Sequence, residues 1–480
     1  MQTTLAQFYG FEHGIAVQIF MVGFAGVALL AALFIRLSLI QWILAGILFF
    51  NCLSPPANFE RTQYLQTWML PVQMQRANAH LVLGIILTLV VILTNRLHAG
   101  WVPIQGLFIL AINLYAGLMM FIHETPKDAA QTLGFALAVV PCMLFACPAA
   151  ARSHEACMKT VRAIMLASVV WTVCCSIQFV INPRLLVNSD RGRFWGMHSN
   201  AQGAALIVAP FAVVALWLML NDRARRMKVL WIGLVGINLL FLGWTGSRTG
   251  LLTLVAGAVF VLYRRVGKVV IFLPVAAVVT VVLSALSDEL QIANNLERLT
   301  STENTREGVW NRQLQVIMES PLVGVGWKET GASESSYLAG WASYGALMML
   351  LMTGFLLFSM WKCARVTLMR GRLPKEQRPL VDMFVAYNAM YFASSFFEGH
   401  IMARSIATQT MMFMFAGIGV WLTEAMARPA DGAYEPDDGE DPGDVTEYDA
   451  MVAYDYSHPE DEAAVAAPLP PRGAIPGASA

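Results

Sequence analysis

The residues best suited to chemistry in this sequence are arginines beside apolar segments, together with one glutamate. Arg248 lies in a Ser-Arg-Thr-Gly turn between two such segments, and Arg306 lies in a polar stretch at 287–334 that ends at Glu334. The planar guanidinium of arginine pairs with two phosphate oxygens at once. A carboxylate at the mouth of a cavity can accept a proton as a general base; the alternative for Glu334 is that it neutralises a neighbouring arginine. This combination predicts recognition of an anionic substrate, with a proton transfer beside it.

A second polar run, from Asp190 to Gly203, precedes another apolar segment. It contains Arg191, Arg193 and His198. Small and polar residues at the start of a span leave backbone and side-chain groups available to a cavity, so we interpret the two arginines as further anion ligands. His198 at such a boundary fits either a structural role or a role in proton transfer.

The turn around Arg248 has a glycine on each side of its Ser-Arg-Thr core. Gly246 and Gly250 permit a tight turn that exposes backbone N–H groups beside the cation. An arginine near hydrocarbon costs about 2.5–3.5 kcal/mol at a helix centre and less near the interface. We favour a functional role for Arg248, the alternative being extension of its side chain to lipid headgroups.

The chain that must position these residues is strongly apolar. Of its 480 residues, 57% are hydrophobic and 13% are charged, with a mean hydropathy of +0.57. Soluble domains carry about 25% charged residues, so the composition excludes an ordinary soluble protein and predicts an integral membrane protein. The seven cysteines form no CxxC motif or Cys/His cluster, so we interpret them as small buried residues.

Apolar runs of about twenty residues can cross a bilayer core. The sequence contains thirteen such runs, or twelve if the first two, separated by Arg36, form one span. The predicted spans are 14–35, 37–53, 80–95, 101–122, 131–150, 160–182, 199–220, 229–246, 249–263, 269–286, 335–361, 380–397 and 405–426. The predicted fold is an all-α polytopic membrane domain over 1–428, with one large outward loop at 287–334.

The large loop is predicted to contain a short amphipathic helix. Asn304 and Glu307 have the spacing of a capping box, which predicts a helix that runs to about Glu319. Arg306 would lie in the first turn, where the positive end of the helix adds to its charge. Trp310 is predicted to pack this helix onto the membrane domain.

The Lys and Arg content of the connections predicts the orientation. Basic connections, which we place in the cytoplasm, occur at 152–162, 223–228, 264–268 and 362–378. The loops 183–198 and 287–334 then face outward, as do the Arg248 turn and 398–404. The segment 429–480 has thirteen acidic residues and Arg472 as its single Lys or Arg. It is rich in Pro and Gly, which predicts a disordered cytoplasmic tail.

Four motifs, in this order, resemble the O-antigen ligase/polymerase superfamily of bacterial envelope glycosyltransferases. They are the Arg-Gly-x-Phe-x-Gly-x-His-x-Asn run that begins at Arg191, the Ser-Arg-Thr-Gly turn, the Thr-Arg-Glu-Gly-Val-Trp helix start, and the Ser-Tyr-Leu…Gly entry into the next span. The resemblance covers roughly 185–350, and the span count agrees elsewhere. It identifies a membrane enzyme class and not a particular substrate.

The resemblance implies a glycosyltransferase at the outer face of the bacterial cytoplasmic membrane. Such enzymes move a glycan from a polyprenyl (undecaprenyl) pyrophosphate carrier to a sugar hydroxyl, without a metal, a cofactor or a nucleotide sugar. Two family arginines hold the pyrophosphate and correspond by motif to Arg248 and Arg306. The family's proposed base, a histidine, is replaced here by Glu334, with Ser335 next to it. The base role is therefore assigned to Glu334, with His198 or His400 as alternatives.

The favoured function is polymerisation or ligation of a lipid-linked oligosaccharide, and the departure at Glu334 favours an exopolysaccharide polymerase over a lipid A-core ligase. The expected partners are the lipid-linked donor, a glycan acceptor, the bilayer and other polysaccharide assembly proteins, without nucleic acid. A transporter or flippase of lipid-linked glycans is the first alternative, and a non-catalytic assembly protein that uses the acidic tail is the second. The predicted site comprises Glu334 as base, Arg248, Arg306, Arg191 and Arg193 as pyrophosphate ligands, and His198, Asn200, Ser247, Ser335, Tyr337 and His400 as further substrate ligands or bases.

Overall fold

The computed structural model of the protein describes residues 35, 37–54, 68–94, 102–187, 192–222, 224–263, 306–330, 334–402 and 406–427. These residues are helical apart from short connections and one isolated β-bridge between Val187 and Phe194. The predicted all-α polytopic fold is therefore confirmed. The predicted spans 14–35 (apart from Ile35) and 269–286, the capping residue Asn304, Arg191 and the acidic tail 429–480 lie outside the described residues.

The main helices are α1 Leu39–Cys52, α2 Arg76–Leu93, α3 Ile104–His123, α4 Pro126–Ala150, α5 His154–Ile181, α6 Ala201–Asn221, α7 Arg225–Thr245, α8 Arg248–Leu262, α9 Glu307–Glu319, α10 Ser336–Tyr344, α11 Ala346–Leu368, α12 Arg378–Ser395 and α13 Ala407–Ala427. Short helical turns occupy Leu70–Met74, Pro183–Leu186, Trp327–Thr330 and Met369–Arg372, and a π-helical turn at Phe135–Val139 lies within α4.

Eight helices in the described part of the chain are long and apolar enough to cross a membrane. They are α2 to α7, α11 (extended to Arg372) and α13. The helices α1 and α8 are shorter but apolar. Each of these helices lies on a span predicted from hydropathy. The prediction succeeds because a run of about twenty apolar residues can be recognised in the sequence without knowledge of the fold.

The centre of the described bundle is α6. Nearly all of its side chains are buried, including Phe211 and Trp217. It packs against α7 and α8, and α8 packs in turn against α12. A helix that is apolar all round is enclosed either by protein or by lipid. Neighbouring helices enclose α6, and this packing fixes the ends of α6, α7, α8 and α12 relative to one another.

The predicted span 335–361 is wrong as a single helix, because the structure divides it into α10 and α11 at Gly345. Gly345 has φ +80°, and a Cβ there would lie 2.0 Å from the carbonyl oxygen of Leu322. The segment after α9 folds back here, so that the N–H groups of Val325 and Gly326 donate to the last carbonyls of α10. The close approach of this backbone requires glycine at the break.

The predicted loop helix is present as α9 and ends at Glu319 as expected. The prediction that Arg306 lies in its first turn is wrong, because the helix begins at Glu307 and Arg306 is the residue before it. The side chain of Arg306 is thereby directed away from the helix body and toward the membrane domain. Trp310 stacks obliquely near Phe397, with ring centroids 6.2 Å apart, which confirms the predicted packing of this helix.

Candidate active site

The guanidinium of Arg306 is the centre of a polar cluster where four segments of the chain meet. Its Nη2 donates to Glu398 Oε1 at 2.7 Å and to Thr249 Oγ1 at 3.0 Å. Its Nη1 donates to the carbonyl of Phe397, and the cation lies 5.6 Å from the centroid of the Phe397 ring. The Arg306 side chain is only 14% exposed, so these contacts hold a charge that has lost most of its water.

Glu334 approaches the same guanidinium but is bound less directly. Its Oε2 lies 3.6 Å from Arg306 Nε, beyond hydrogen-bonding distance, and it has no hydrogen-bond partner among the described residues although the atom is buried. A buried acceptor without a partner is unusual, because desolvation of a polar atom costs free energy. This oxygen therefore has hydrogen-bonding capacity that the described residues do not use.

Local structure places each member of the cluster. Thr249 lies in the first turn of α8, and Glu334 comes just before α10. The turn that carries Glu398 follows α12 and is attached to α10 by Ser336, whose Oγ donates to the Glu398 carbonyl at 2.7 Å and accepts from Ile401 N at 3.2 Å. The cluster is thus assembled from helix ends, which hold side chains more firmly than a free loop.

Arg248 lies at the same end of the bundle. It is the first residue of α8, directly before Thr249, and Ser247 caps the helix by accepting from Gly250 N at 3.2 Å. Gly246 ends α7 in the left-handed conformation with φ 56°. The sharp turn puts the half-buried Arg248 at the N-terminus of α8. The charge of its guanidinium therefore lies beside the partial positive charge of the helix end.

Arg193 is bound to the other side of this turn. Its Nε donates to the carbonyl of Thr245 at 2.7 Å, and the side chain is buried. The backbone of Phe194 donates to the Trp244 carbonyl, and Trp244 Nε1 donates to the Gly192 carbonyl. Arg193 therefore joins the segment 192–195 to the end of α7, where the helix dipole favours a cation.

His198 lies in different surroundings from the Arg306 cluster. A Cβ on Gly203 would lie 2.0 Å from His198 Cε1, so the ring packs tightly against the start of α6. Burial and the positive charge of Arg76 lower the pKa of His198 to about 3. Its Nδ1 lies 3.4 Å from Ser199 Oγ, so the contacts of its ring in the described part of the chain are with the start of α6.

Three of the predicted ligands act as helix caps. Asn200 Oδ1 accepts from Gly203 N at 2.6 Å at the start of α6, and Ser335 Oγ accepts from Leu338 N at 3.5 Å at the start of α10. Ser247 caps α8 in the same way. Cap side chains satisfy backbone N–H groups that the helix leaves unpaired, which accounts for these residues without a substrate.

Tyr337 and His400 are buried behind the cluster. The Tyr337 hydroxyl lies 3.2 Å from Ser395 Oγ. His400 Nε2 lies 3.2 Å from the Tyr391 carbonyl, and burial lowers the pKa of His400 to about 4. His400 is thus uncharged at neutral pH, and it sits two residues beyond Glu398.

Glu398 is the member of the cluster that sequence reasoning missed. It is largely buried, and burial raises the pKa of its carboxyl, with the positive charge of Arg306 opposing that rise. In the sequence it is a lone acid after an apolar span, beside His400. A lone carboxylate at the end of a span is a weak signal, because nothing local shows that its partner is 92 residues away.

The fold and the cluster together define a polytopic α-helical membrane protein with a buried arginine and two carboxylates at one end of its bundle. Residues 233–349 match the model of a protein family described as O-antigen ligase. The matched region includes Arg248, Arg306 and Glu334. This match supports the resemblance to the O-antigen ligase/polymerase superfamily and indicates a function of that type, with a glycosyltransferase-like enzyme. A comparison with curated proteins gives no match.

Proposed function

We propose that this protein transfers a glycan from a polyprenyl-pyrophosphate carrier to a hydroxyl group of an acceptor glycan. The observation that carries the proposal is the Arg306 cluster, in which a desolvated guanidinium lies beside a carboxylate oxygen that has no hydrogen-bond partner among the described residues. The cluster lies within or against the region that matches the O-antigen ligase family. A cation beside a proton acceptor suits a reaction in which an alcohol attacks and a pyrophosphate leaves.

The proposed reaction is a single displacement. Glu334 accepts the proton from the acceptor hydroxyl as its oxygen attacks the anomeric carbon of the donor. The bond between that carbon and the pyrophosphate oxygen breaks, and the polyprenyl pyrophosphate leaves with the electron pair. Arg248 and Arg306 stabilise the charge that develops on the leaving group, with Arg191 and Arg193 in support.

The site is proposed to face outward across the bacterial cytoplasmic membrane, with the tail 429–480 on the inner side. The basic connections support this orientation, since positive loops favour the cytoplasm. Glu334 in place of the family's histidine favours polymerisation of an exopolysaccharide over transfer to a lipid A core. A lipid-linked glycan flippase would need ionisable groups along a path through the spans, whereas Arg306, Glu334 and Glu398 cluster at helix ends.

The proposal is tested in cells that lack the native gene and express variants of the full chain. Glu334→Gln keeps the size of the side chain but removes its basicity, and Arg306→Ala removes the cation. We expect both to accumulate single lipid-linked units, with polymer reduced on the order of 10²-fold or more, because general bases contribute about 10²–10⁴-fold. Arg312→Ala is the matched control, because Arg312 lies exposed on α9.

Normal polymer from both variants, at matched protein levels, would show that the site is assigned incorrectly. If loss of the whole protein left polymer unchanged, the glycosyltransferase proposal would fail. Transfer of labelled glycan between carriers on one side of sealed vesicles separates an enzyme from a flippase. A flippase would instead move the labelled carrier across the bilayer without changing the glycan attached to it.

A further inference from the structure

The hydrogen-bonding capacity of Arg306 is largely taken by the protein itself. A guanidinium has five N–H groups, and in this structure Nη2 directs its two toward Glu398 and Thr249 while Nη1 directs one toward Phe397. A further contact, from Nε to Glu334 Oε2, is a longer electrostatic one. Arg306 is therefore fixed in one orientation before any substrate arrives.

Glu398 is held as firmly as the arginine it binds. Its Oε1 also lies 3.3 Å from Thr249 Oγ1, so the three side chains form a closed triangle of contacts. Its carbonyl accepts from Ser336, which fixes the turn after α12 to the start of α10. Glu398 therefore contacts α8, the start of α10 and Arg306, and these contacts hold the three segments in fixed relative positions.

We propose that Glu398 is a positioning residue that takes the direct ion pair with Arg306 and thereby leaves Glu334 Oε2 open as the proton acceptor. The inference rests on the proposed glycosyl transfer with Glu334 as base. With a single carboxylate present, arginine would form a bidentate pair that occupies both of its oxygens. With two carboxylates present, Glu398 orients the guanidinium and Glu334 receives the proton.

The charges around the pair support this division. Glu398 faces Arg306 and the carboxylate of Glu334, and Arg248 lies next to Thr249 on α8. His400, two residues from Glu398, is buried and uncharged at neutral pH. Two carboxylates lie against one guanidinium, so removal of the charge on Glu398 leaves Glu334 as the remaining carboxylate opposite Arg306.

The test compares Glu398→Gln with Glu334→Gln, both in the purified full chain in lipid nanodiscs. The donor is the pool of lipid-linked repeat units extracted from cells that lack the protein, and initial rates are measured against donor concentration. Thr249→Val lacks the hydroxyl that contacts Arg306 and Glu398, whereas Thr249→Ser keeps it. This pair of variants therefore tests the three-residue contact without changing a charge. Glu307→Gln, at an exposed carboxylate next to Arg306, is the control.

We expect Glu398→Gln to lower kcat roughly 10- to 100-fold, since a small misplacement can cost about 10²-fold. The loss should fall on kcat and leave the KM for the donor nearly unchanged, because Glu398 positions the reacting groups and does not bind the donor itself. Glu334→Gln should give the larger fall in kcat, on the order of 10²-fold or more. Thr249→Val should give a smaller fall in kcat that Thr249→Ser largely reverses, and Glu307→Gln should match the wild type.

An unchanged rate for Glu398→Gln, or a raised KM for the donor without a fall in kcat, would overturn the inference. A larger fall in kcat in Glu398→Gln than in Glu334→Gln would identify Glu398 as the base itself and overturn it as well. Each of these results leaves the proposed function intact because the wild type still transfers glycan. Absence of transfer by the wild type would instead overturn the proposed function. If Glu398→Gln fails to fold, as judged by its elution and melting temperature, equal rates for Thr249→Val and Thr249→Ser overturn the inference.

Discussion

Buried arginine–carboxylate contacts occur in two kinds of region in this protein, and they differ in how completely the carboxylates are satisfied. Where α6 meets α7, Asp222 Oδ2 lies 3.4 Å from Arg162 Nη2 and accepts from Trp231 Nε1 at 3.2 Å, while Oδ1 accepts from Ala224 N. Both oxygens of this carboxylate have partners. At the Arg306 cluster, two carboxylates share one guanidinium and Glu334 Oε2 is left without a hydrogen bond from the described residues.

The pair between Arg370 Nη2 and Asp382 Oδ2, at 3.0 Å, joins one arginine to one carboxylate and connects the turn after α11 to the start of α12. Asp382 lies near the start of α12 and Glu398 lies just beyond its end, so the length of the helix separates the two carboxylates. One-to-one pairs of this type hold helix ends together. An unsatisfied buried carboxylate oxygen adds nothing to stability, and at the Arg306 cluster it agrees with the proposed role of Glu334 as a proton acceptor.

The largest expected effect is the difference between two arginine-to-lysine replacements, one at Arg306 in the cluster and one at Arg370 in the one-to-one pair. Arg306→Lys removes the planar fork that reaches Glu398 and Thr249 together, so we expect polymer formation to fall on the order of 10²-fold. Arg370→Lys keeps a single charge opposite Asp382 and should retain activity within a few fold. Polymer per amount of membrane protein measures both, and equal losses would remove the distinction between the two regions.

A second prediction concerns the backbone that supports the cluster. Gly345→Ala places a Cβ against the Leu322 carbonyl at a positive φ, which should destabilise the protein by about 1–3 kcal/mol or more. Gly308 lies exposed on α9 with open space around it, so Gly308→Ala should be neutral or stabilise the helix by about 0.5–1 kcal/mol. The yield of monodisperse protein and its melting temperature measure the difference. Wild-type stability in Gly345→Ala would show that the turn tolerates a side chain.

A third prediction separates capping from ligand binding at Asn200. Asn200→Ala removes the bond to Gly203 N and should cost about 1 kcal/mol, while Asn200→Asp keeps a cap and most of the stability. Transfer rate per folded protein should be unchanged in both. A large loss of rate in Asn200→Ala at unchanged melting temperature would instead place Asn200 in contact with a substrate.

The parts of the structure that sequence could predict are those with a local cause. The sequence predicts the span of α6 at 199–220, and the helix occurs at Ala201–Asn221, because a run of apolar residues needs no partner to be recognised. The polar loop between Arg306 and Glu334 interrupts an apolar chain and so points to both residues. The sequence does not point to Glu398, since its contact with Arg306 depends on how α12 returns to α8 and α10. It does not predict the break at Gly345 either, because the cause is the carbonyl of Leu322, which only the folded chain brings near.

The smallest predicted effect is a pH dependence of stability. Burial raises the pKa of Glu398, so the folded protein favours its protonated form more than the unfolded chain does. This contribution to stability is present at low pH and is lost as the pH rises through the raised pKa.

Glu398→Gln lacks this ionisation. Its melting temperature relative to wild type should therefore increase by a few degrees as the pH rises from about 4 to about 7, while Glu307→Gln should show no such trend. A relative gain of the wild type over that range would mean that the ion pair with Arg306 outweighs the cost of burial. In the expected case, a carboxylate that lowers stability at neutral pH is retained beside the proposed base, as is common where activity requires it.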